Sequence, residues 1–430
     1  MTFENFQLVD GSKYLMFYIC CYSKISIRRH SMIFLTSFLS WFYSWKNKIL
    51  IVIIIVILYF CFYPSLLFYY HSLGPSLIFY YKHFNQSLPL ILLYTHNRSH
   101  KTRNNICRGT RNGGHVVNFE RCPKKCQFSC QLQDFKQRSP LAVLFFGEDF
   151  YWPFQLTDQD RLSYKQRWIF WSWEAPINHP EYSRSRLTFN WTMTYRQDSD
   201  IIHDYGRYIA RNLSYTIRDY QAVDFYLSNE TNQSTFDVGK EFSARENKIL
   251  WIVSNCKTRT NRHQIATELN KYFPIDQYGG CSLLNKKAKI LSTKEFEQTL
   301  FKYKFYLAFE NSNCQDYITE KAFYNALAHG SIPIVLGANE NNYKNILLPN
   351  SFIYIQRYKN MSDLANQLRN ISQNLYVFKF YHQWRIHYRL IVWPSNYFID
   401  DLFCNLCIKL YEDEKPKSYN NFSRWLNQCK

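Results

Sequence analysis

The sequence predicts an α/β protein of two domains carried behind a membrane anchor, and three observations lead there. Short β-rich apolar runs recur at 141–147, 167–174 and 187–195, and again at 248–255, 304–311 and 331–337. Polar or helix-patterned stretches separate them, which is the alternation of β-α-β units. A length of 430 residues also exceeds one ordinary core, at about 100–200 residues per domain. Tyr, Phe and Trp make up 19% of the chain against only 12 Gly, so a large apolar core is available and collagen-like or disordered sequence is excluded. Lys and Arg number 52 against 33 Asp and Glu, and the resulting +19 argues for an anionic partner: nucleotide, phosphate, membrane surface or nucleic acid.

From the N-terminus, residues 1–48 read as a cytoplasmic tail and 49–70 as a transmembrane signal-anchor. Ile49 to Tyr70 is 22 residues without a charge, about the length a helix needs to cross a bilayer. Lys46, Lys48, Arg28 and Arg29 precede it and Lys82 is the first positive residue after it, so the N-terminus is expected inside and the bulk of the chain luminal or extracellular. A 48-residue leader is too long for a cleaved signal peptide. The shorter apolar stretch Ser31 to Trp45 leaves open a translation start at Met32.

Ten cysteines follow the anchor: Cys107, Cys122, Cys126, Cys130, Cys256, Cys281, Cys314, Cys404, Cys407 and Cys429. An even set in an oxidising compartment permits full pairing, and that reading is preferred to a zinc site because no matched His pair accompanies the close spacings. Nine Asn-x-Ser/Thr sequons, at Asn85, Asn97, Asn190, Asn212, Asn229, Asn232, Asn360, Asn370 and Asn421, all lie beyond the anchor and are glycosylation candidates.

Residues 71–138 read as a polar, basic stem. A first α/β domain is expected at 139–240, with crossings supplied by 155–166 and 207–221, and a turn-rich linker closes it near 228–247. The second domain is expected at 241–410. Strand 248–255 leads to a helix from Arg262 to Tyr272, and strand 304–311 to a helix from Ile318 to His329 capped by Gly330. Residues 411–430 complete the chain as a tail.

Ligands of open α/β sheets bind beyond the carboxyl ends of the strands, which directs attention to the turn at 308–321. There the chain leaves a strand, crosses a polar loop and enters a helix whose free N–H groups favour phosphate. Tyr317, Glu320 and Lys321 recur at i, i+3 and i+4, offering a hydroxyl or ring, a carboxylate and a fixed positive charge on one face. At an anonymous helix the same pattern would be a surface Glu-Lys pair beside a core Tyr.

The block at 303–327, Tyr-Lys-Phe-Tyr-Leu-Ala-Phe-Glu-Asn-Ser-Asn-Cys-Gln-Asp-Tyr-Ile-Thr-Glu-Lys-Ala-Phe-Tyr-Asn-Ala-Leu, closely resembles the signature of the α1,3-fucosyltransferase family, glycosyltransferase family 10. Phe-Asn-Trp-Thr-Met-Thr-Tyr-Arg-Gln-Asp-Ser-Asp at 189–200, Asp-Tyr-Gly at 204–206, Val-Ser-Asn-Cys at 253–256 and Ile-Asp-Gln-Tyr-Gly-Gly-Cys at 275–281 resemble further family blocks in family order. The resemblance covers roughly residues 140–410 and, with the anchor and stem, is that of the Golgi type II membrane form. It implies the GT-B architecture, in which two Rossmann-like domains face a cleft. The second would hold GDP-fucose, and N-acetylglucosamine-containing glycans of glycoproteins or glycolipids would be the acceptors. Residue by residue it implies donor contacts at Asn311, Tyr317, Glu320 and Lys321, with a diphosphate-binding Arg at Arg262 and Arg259 as the fallback. The element Trp-Ser-Trp-Glu-Ala-Pro at 171–176 is similar to the family's Glu-Ser-Pro, with Ala175 in place of Ser, which makes Glu174 the expected catalytic base. No cofactor is required on this reading, although Mn2+ could assist GDP release.

Asp198-Ser199-Asp200 has the Asp-x-Asp form of metal-dependent glycosyltransferases, but it lies in the acceptor-side domain and is read as a loop or structural element, so no metal ligand is assigned. The resemblance also implies that Cys404 and Cys407 tie back to cysteines near the start of the catalytic region, for which Cys122, Cys126 and Cys130 are candidates, with Cys256 and Cys281 as a second pair. The expected activity is inverting transfer of L-fucose from GDP-β-L-fucose to O3 of N-acetylglucosamine in the Golgi lumen. The alternative is an inactive relative that binds nucleotide or glycan. A heparin or nucleic-acid binder fits less well, because the basic residues are dispersed and the topology removes access to nucleic acid.

Overall fold

The computed structural model describes residues 88–94, 122–147, 156–211, 236–281, 284, 290–392 and 396–430. The tail and anchor expected at 1–70 lie outside them, and among the described residues no helix is long and apolar enough to cross a membrane. Leu88–Lys430 forms one compact unit.

Its frame is a pair of parallel sheets. The first contains β1 (Leu90–Tyr94), β2 (Gln127–Ser129), β3 (Ala142–Phe146), β4 (Arg167–Ser172), β5 (Trp191–Thr194) and β6 (Ile201–Ile202), in the order β2-β1-β3-β4-β5-β6. Every residue of β3, β4 and β5 is buried, as expected where both faces of a parallel sheet are covered. β7 (Gly206–Ala210) follows outside this sheet. The second sheet contains β8 (Glu246–Ile252), β9 (Ile275–Tyr278), β10 (Tyr303–Phe309), β11 (Ile332–Leu336) and β12 (Ile353–Tyr354), in the order β12-β11-β10-β8-β9, with β10 and β11 buried throughout. β13 (Tyr388–Val392) pairs antiparallel with β7. The architecture is therefore α/β of the GT-B type, with two parallel sheets each flanked by helices.

The structure redraws several expected boundaries. Residues 71–138 are not a spacer throughout, because Leu90–Tyr94 and Gln127–Ser129 are strands of the first sheet and pair through Leu90 with Gln127 and Ile91 with Ala142. The segment read as a crossing at 207–221 begins as β7, and Tyr208 packs with Phe323 and Trp384 of the second lobe. The helix Val238–Ala244 lies against the second core through Val238 and Phe242, so that lobe already includes residues before 241. The helix Asn396–Glu412 belongs instead with the first sheet: Leu402, Phe403, Leu406 and Ile408 share a core with Ile91, Leu144, Trp171 and Trp191. Residues 411–430 are no free tail, since Phe422 and Leu426 of the helix Phe422–Leu426 are buried against Phe170 and Phe189.

Disulfides fasten this arrangement. Cys122 bonds Cys404 and Cys126 bonds Cys407, resolving which of the three upstream candidates serve the C-terminal pair; Cys130 is disulfide-bonded as well. Each closes a loop of more than 280 residues, and on the chain-entropy model such a link contributes about 5 kcal/mol. Cys256–Cys281 forms as expected, and Cys314–Cys429 is a bridge the sequence reading did not contain.

Of the sequons, Asn85, Asn97, Asn212, Asn229 and Asn232 lie outside the described residues, while Asn360, Asn370 and Asn421 are exposed. Asn190 is not a fit acceptor. Its Nδ2 donates to the Lys417 carbonyl at 2.9 Å and its Oδ1 accepts from the Trp168 N–H at 2.8 Å, so a glycan there would displace a bond that holds the fold.

Candidate active site

Glu174 stands two residues beyond β4, at a carboxyl end of the first sheet. The Glu174 N–H donates to Ser172 Oγ at 3.2 Å, Ala175 is fully buried, and Pro176 starts a tight 3-10 turn, so the backbone around the carboxylate is fixed locally. From the second lobe, β10 ends at Phe309 and passes through Glu310 and Asn311 into an irregular loop. Asp316 takes a left-handed conformation there, with φ of 59°. The chain then winds into the helix Lys321–Ala328, a wide coil with Asn325 N–H donating to the Glu320 carbonyl at 2.7 Å. Such i→i+5 turns are rare and are frequently found at functional sites. Gly337, after β11, permits the close approach: a Cβ there would lie 2.8 Å from Cβ of Glu310, and its φ of 147° also disfavours other residues.

These two carboxyl ends meet. The Tyr317 hydroxyl donates to Glu174 Oε2 at 3.0 Å, and the Tyr317 ring packs edge-on against Tyr195 with centroids 4.9 Å apart. Tyr205, donating to the Trp173 carbonyl at 2.7 Å, completes a wall of buried phenols around the base position. Beside it Lys321 Nζ lies 3.1 Å from Glu310 Oε2 and 3.0 Å from Glu320 Oε1, and donates to Thr319 Oγ1 at 2.8 Å. Thr319 is itself held by Glu310, whose Oε1 accepts the Thr319 N–H at 2.8 Å.

One lysine therefore faces three carboxylates, and the titration behaviour follows. Burial raises Glu174 above the usual carboxylate range, opposed by the Lys321 charge and the Tyr317 hydrogen bond. Burial likewise raises Glu310 despite Lys321. At Glu320 burial also pushes upward, but Lys321 outweighs it and leaves that carboxyl below its ordinary value. Lys321 is raised, because the attraction of Glu310 and Glu320 exceeds the desolvation cost, so it stays charged.

The structure thus brings Glu174, Tyr317, Glu320 and Lys321 into one cluster. Asn311 is adjacent, with the Ser312 hydroxyl 3.1 Å from its Oδ1 and 3.3 Å from Asn178 Oδ1 of the first lobe. Arg262 differs from expectation. It begins the helix Arg262–Asn270, but its guanidinium turns inward, donating to the carbonyls of Phe309 at 3.0 Å and Asn255 at 2.6 Å. It braces the ends of β10 and β8, and only Nε lacks a partner among the described residues. Arg259 is exposed on the preceding loop.

Comparison with known proteins accounts for this arrangement. Residues 242–425 match the model "Glycosyltransferase family 10 (fucosyltransferase) C-term" and residues 86–206 match "Fucosyltransferase, N-terminal". The chain is 31% identical over 287 residues to 4-galactosyl-N-acetylglucosaminide 3-alpha-L-fucosyltransferase 9 of Homo sapiens, covering 66% of this chain and 70% of that protein. The chain belongs to glycosyltransferase family 10, the fucosyltransferases.

This family 10 chain is also 31% identical over 301 residues to glycoprotein 3-alpha-L-fucosyltransferase A of Drosophila melanogaster, covering 69% of this chain and 54% of the fly protein, so it spans about half of that relative's length. Among solved structures, a crystal structure of an α1,3-fucosyltransferase with GDP-fucose is 15% identical and covers 69% of this chain and 83% of its own, with a TM-score of 0.41.

Within the fucosyltransferase chain Asp198 and Asp200 are fully engaged. Asp198 pairs with Arg196 at 2.7 Å and accepts from Trp425 Nε1 at 3.1 Å; Asp200 accepts from Lys417, Tyr419 and the Thr192 N–H. No group of three or more His, Cys, Asp or Glu is placed to hold a metal among the described residues. Glu310 is the functional-site residue that sequence reasoning passed over. A carboxylate following a seven-residue strand buried from end to end was the available signal, since an acid there must have a partner.

Proposed function

We propose that the chain transfers L-fucose from GDP-β-L-fucose to O3 of N-acetylglucosamine in glycoprotein or glycolipid glycans, with inversion to the α-fucoside. The observation that carries this reading is the Tyr317–Glu174 hydrogen bond, which sets a desolvated carboxylate from one sheet against the cationic turn of the other. Glu174 removes the proton from the acceptor hydroxyl as that oxygen attacks the fucose anomeric carbon. The bond to the diphosphate oxygen breaks on the opposite face, and GDP departs with the electron pair. A raised carboxyl pKa suits a general base working near neutrality. The leaving diphosphate needs positive charge rather than a proton, and Lys321 and the start of its helix supply it. Asn311 and Glu320 orient the ribose and sugar hydroxyls. No divalent cation is assigned a role.

Disulfides throughout the described fold suit an oxidising compartment, and with the apolar run at 49–70 they support a type II protein of the Golgi membrane facing the lumen. Incubation of the full chain with GDP-fucose and a panel of core Asn-linked, Lewis-type and LacdiNAc acceptors, with mass-spectrometric mapping of the product linkage, tests the activity. Fucose on O3 of N-acetylglucosamine supports it. GDP binding without release of GDP from the donor on any acceptor would instead mark a binding relative.

A further inference from the structure

The loop that presents Asn311 and Tyr317 has no regular structure of its own, yet it is held from outside at its centre. Cys314, three residues from each of them, bonds Cys429. On either side of this bridge the Gln315 N–H donates to the Gln428 carbonyl at 2.9 Å and the Lys430 N–H to the Asn313 carbonyl at 2.8 Å, a short antiparallel pairing. The other end of the same segment is embedded in the first lobe. The Phe422 ring lies 4.8 Å from those of Phe170 and Phe189, and Leu426 is buried beside it. Trp425 donates Nε1 to Asp198 at 3.1 Å beneath the Arg196 guanidinium, which stacks 4.3 Å above its ring. A second tie runs the same way: Asp316 accepts from the Gln197 N–H of the first lobe at 3.1 Å and from Asn342 Nδ2 of the second at 2.6 Å.

We propose that residues 422–430 form a positioning strap that anchors in the first lobe and, through Cys314–Cys429, presets the donor-binding loop of the second. The strap touches the loop backbone and leaves the cluster around Lys321 to other groups, so its action is on Asn311 and Tyr317 and not on the reacting atoms. Fixing an irregular loop costs conformational entropy, and a loop already fixed by a covalent strap does not draw that cost from the ligand's binding energy. Releasing it lowers the fraction of protein in the binding-competent state, and the apparent dissociation constant rises in proportion. Because Tyr317 also reaches Glu174, the strap holds the donor loop in register with the base across the cleft.

This inference rests on the reading that the 311–321 loop holds the nucleotide sugar, and the test separates the two. GDP affinity is measured by calorimetry, and steady-state kinetics are run with donor and acceptor varied in turn, for the wild-type full chain, Cys429→Ser and the double variant Cys314→Ser/Cys429→Ser. The strap predicts a rise of about tenfold in GDP Kd and donor KM, kcat at saturating donor within about twofold, unchanged acceptor KM, and no further loss in the double variant. A bridge that only stabilises the fold lowers the amount of active protein and leaves donor KM alone, which overturns the proposal. Wild-type protein that fails to bind GDP overturns both readings, whereas equal GDP affinity in wild type and Cys429→Ser overturns the strap alone. Should the variants not fold, hydrogen exchange on the wild-type chain decides: GDP is expected to protect amides of 422–430 together with those of 311–321, and protection of the loop without the strap contradicts the coupling.

Discussion

The loop at Asp198 and Asp200 and the cluster at Glu174, Glu310 and Glu320 are both gatherings of carboxylates near the carboxyl ends of the strands, and they differ in how their charge is met. At Asp198 and Asp200 donors are abundant: two guanidinium nitrogens and an indole N–H for the first, an ammonium, a phenol and a backbone amide for the second. In the other cluster the single ammonium of Lys321 contacts Glu310 and Glu320, while Glu174 feels its charge without an ion pair and accepts from the Tyr317 hydroxyl. Burial holds Glu174 and Glu310 above their ordinary range. A saturated acid is a fastener. An acid left undersupplied and desolvated can still accept a proton, and that makes Glu174 the reactive one.

The contrast can be broken most severely at Lys321. Lys321→Ala leaves the buried Glu310 without its cation, for which a stability loss of about 3–5 kcal/mol is expected, together with GDP binding weakened at least about 100-fold. Denaturant melts and calorimetry measure the two losses, and retained affinity would mean that the diphosphate sits elsewhere.

A smaller change should come from Tyr317→Phe, which keeps the ring and removes the hydroxyl bound to Glu174. That bond favours the charged carboxylate, so its loss raises the Glu174 pKa further. The base must be ionised, so kcat/KM falls as pH drops through that pKa. The wild-type acid limb should therefore lie above the ordinary carboxylate range, and the variant's should lie higher still, with turnover at neutral pH reduced several-fold. A pH–rate profile with both limbs at the usual Glu value contradicts the assignment.

The mildest effect is expected at the saturated acids. Asp198→Asn weakens the tie to Arg196 and should cost about 1 kcal/mol of stability, while kcat and any response to added Mn2+ stay within about twofold of wild type in steady-state assays. A large loss of metal-dependent turnover would return the Asp-x-Asp pair to the active site.

Much of this was legible in the residues. β3, β4, β10 and β11 are uninterrupted apolar runs, and burial on both faces of a parallel sheet leaves that trace. β1 and β2 escaped because β2 is only three residues and β1 is cut off from its neighbours in sequence, so their membership depends on non-local pairing that no local pattern records. Spacing put Tyr317, Glu320 and Lys321 together on one helix turn, whereas the helix begins only at Lys321 and Tyr317 reaches the same cluster from the loop before it. The direction of Arg262 could not be read either. It is decided by where the carbonyls of Phe309 and Asn255 end up, which is a property of the assembled sheet. The C-terminal strap was invisible for the same reason, since Cys314 and Cys429 are 115 residues apart and either could have paired elsewhere.

The claim that Glu174 is the base facing a donor held by the opposite turn is tested most directly by Glu174→Gln, with GDP affinity and fucosyl transfer measured on one preparation. The account predicts GDP binding within about threefold of wild type and turnover lower by about 10²–10⁴-fold, the usual contribution of a general base. Wild-type turnover in that variant would contradict it.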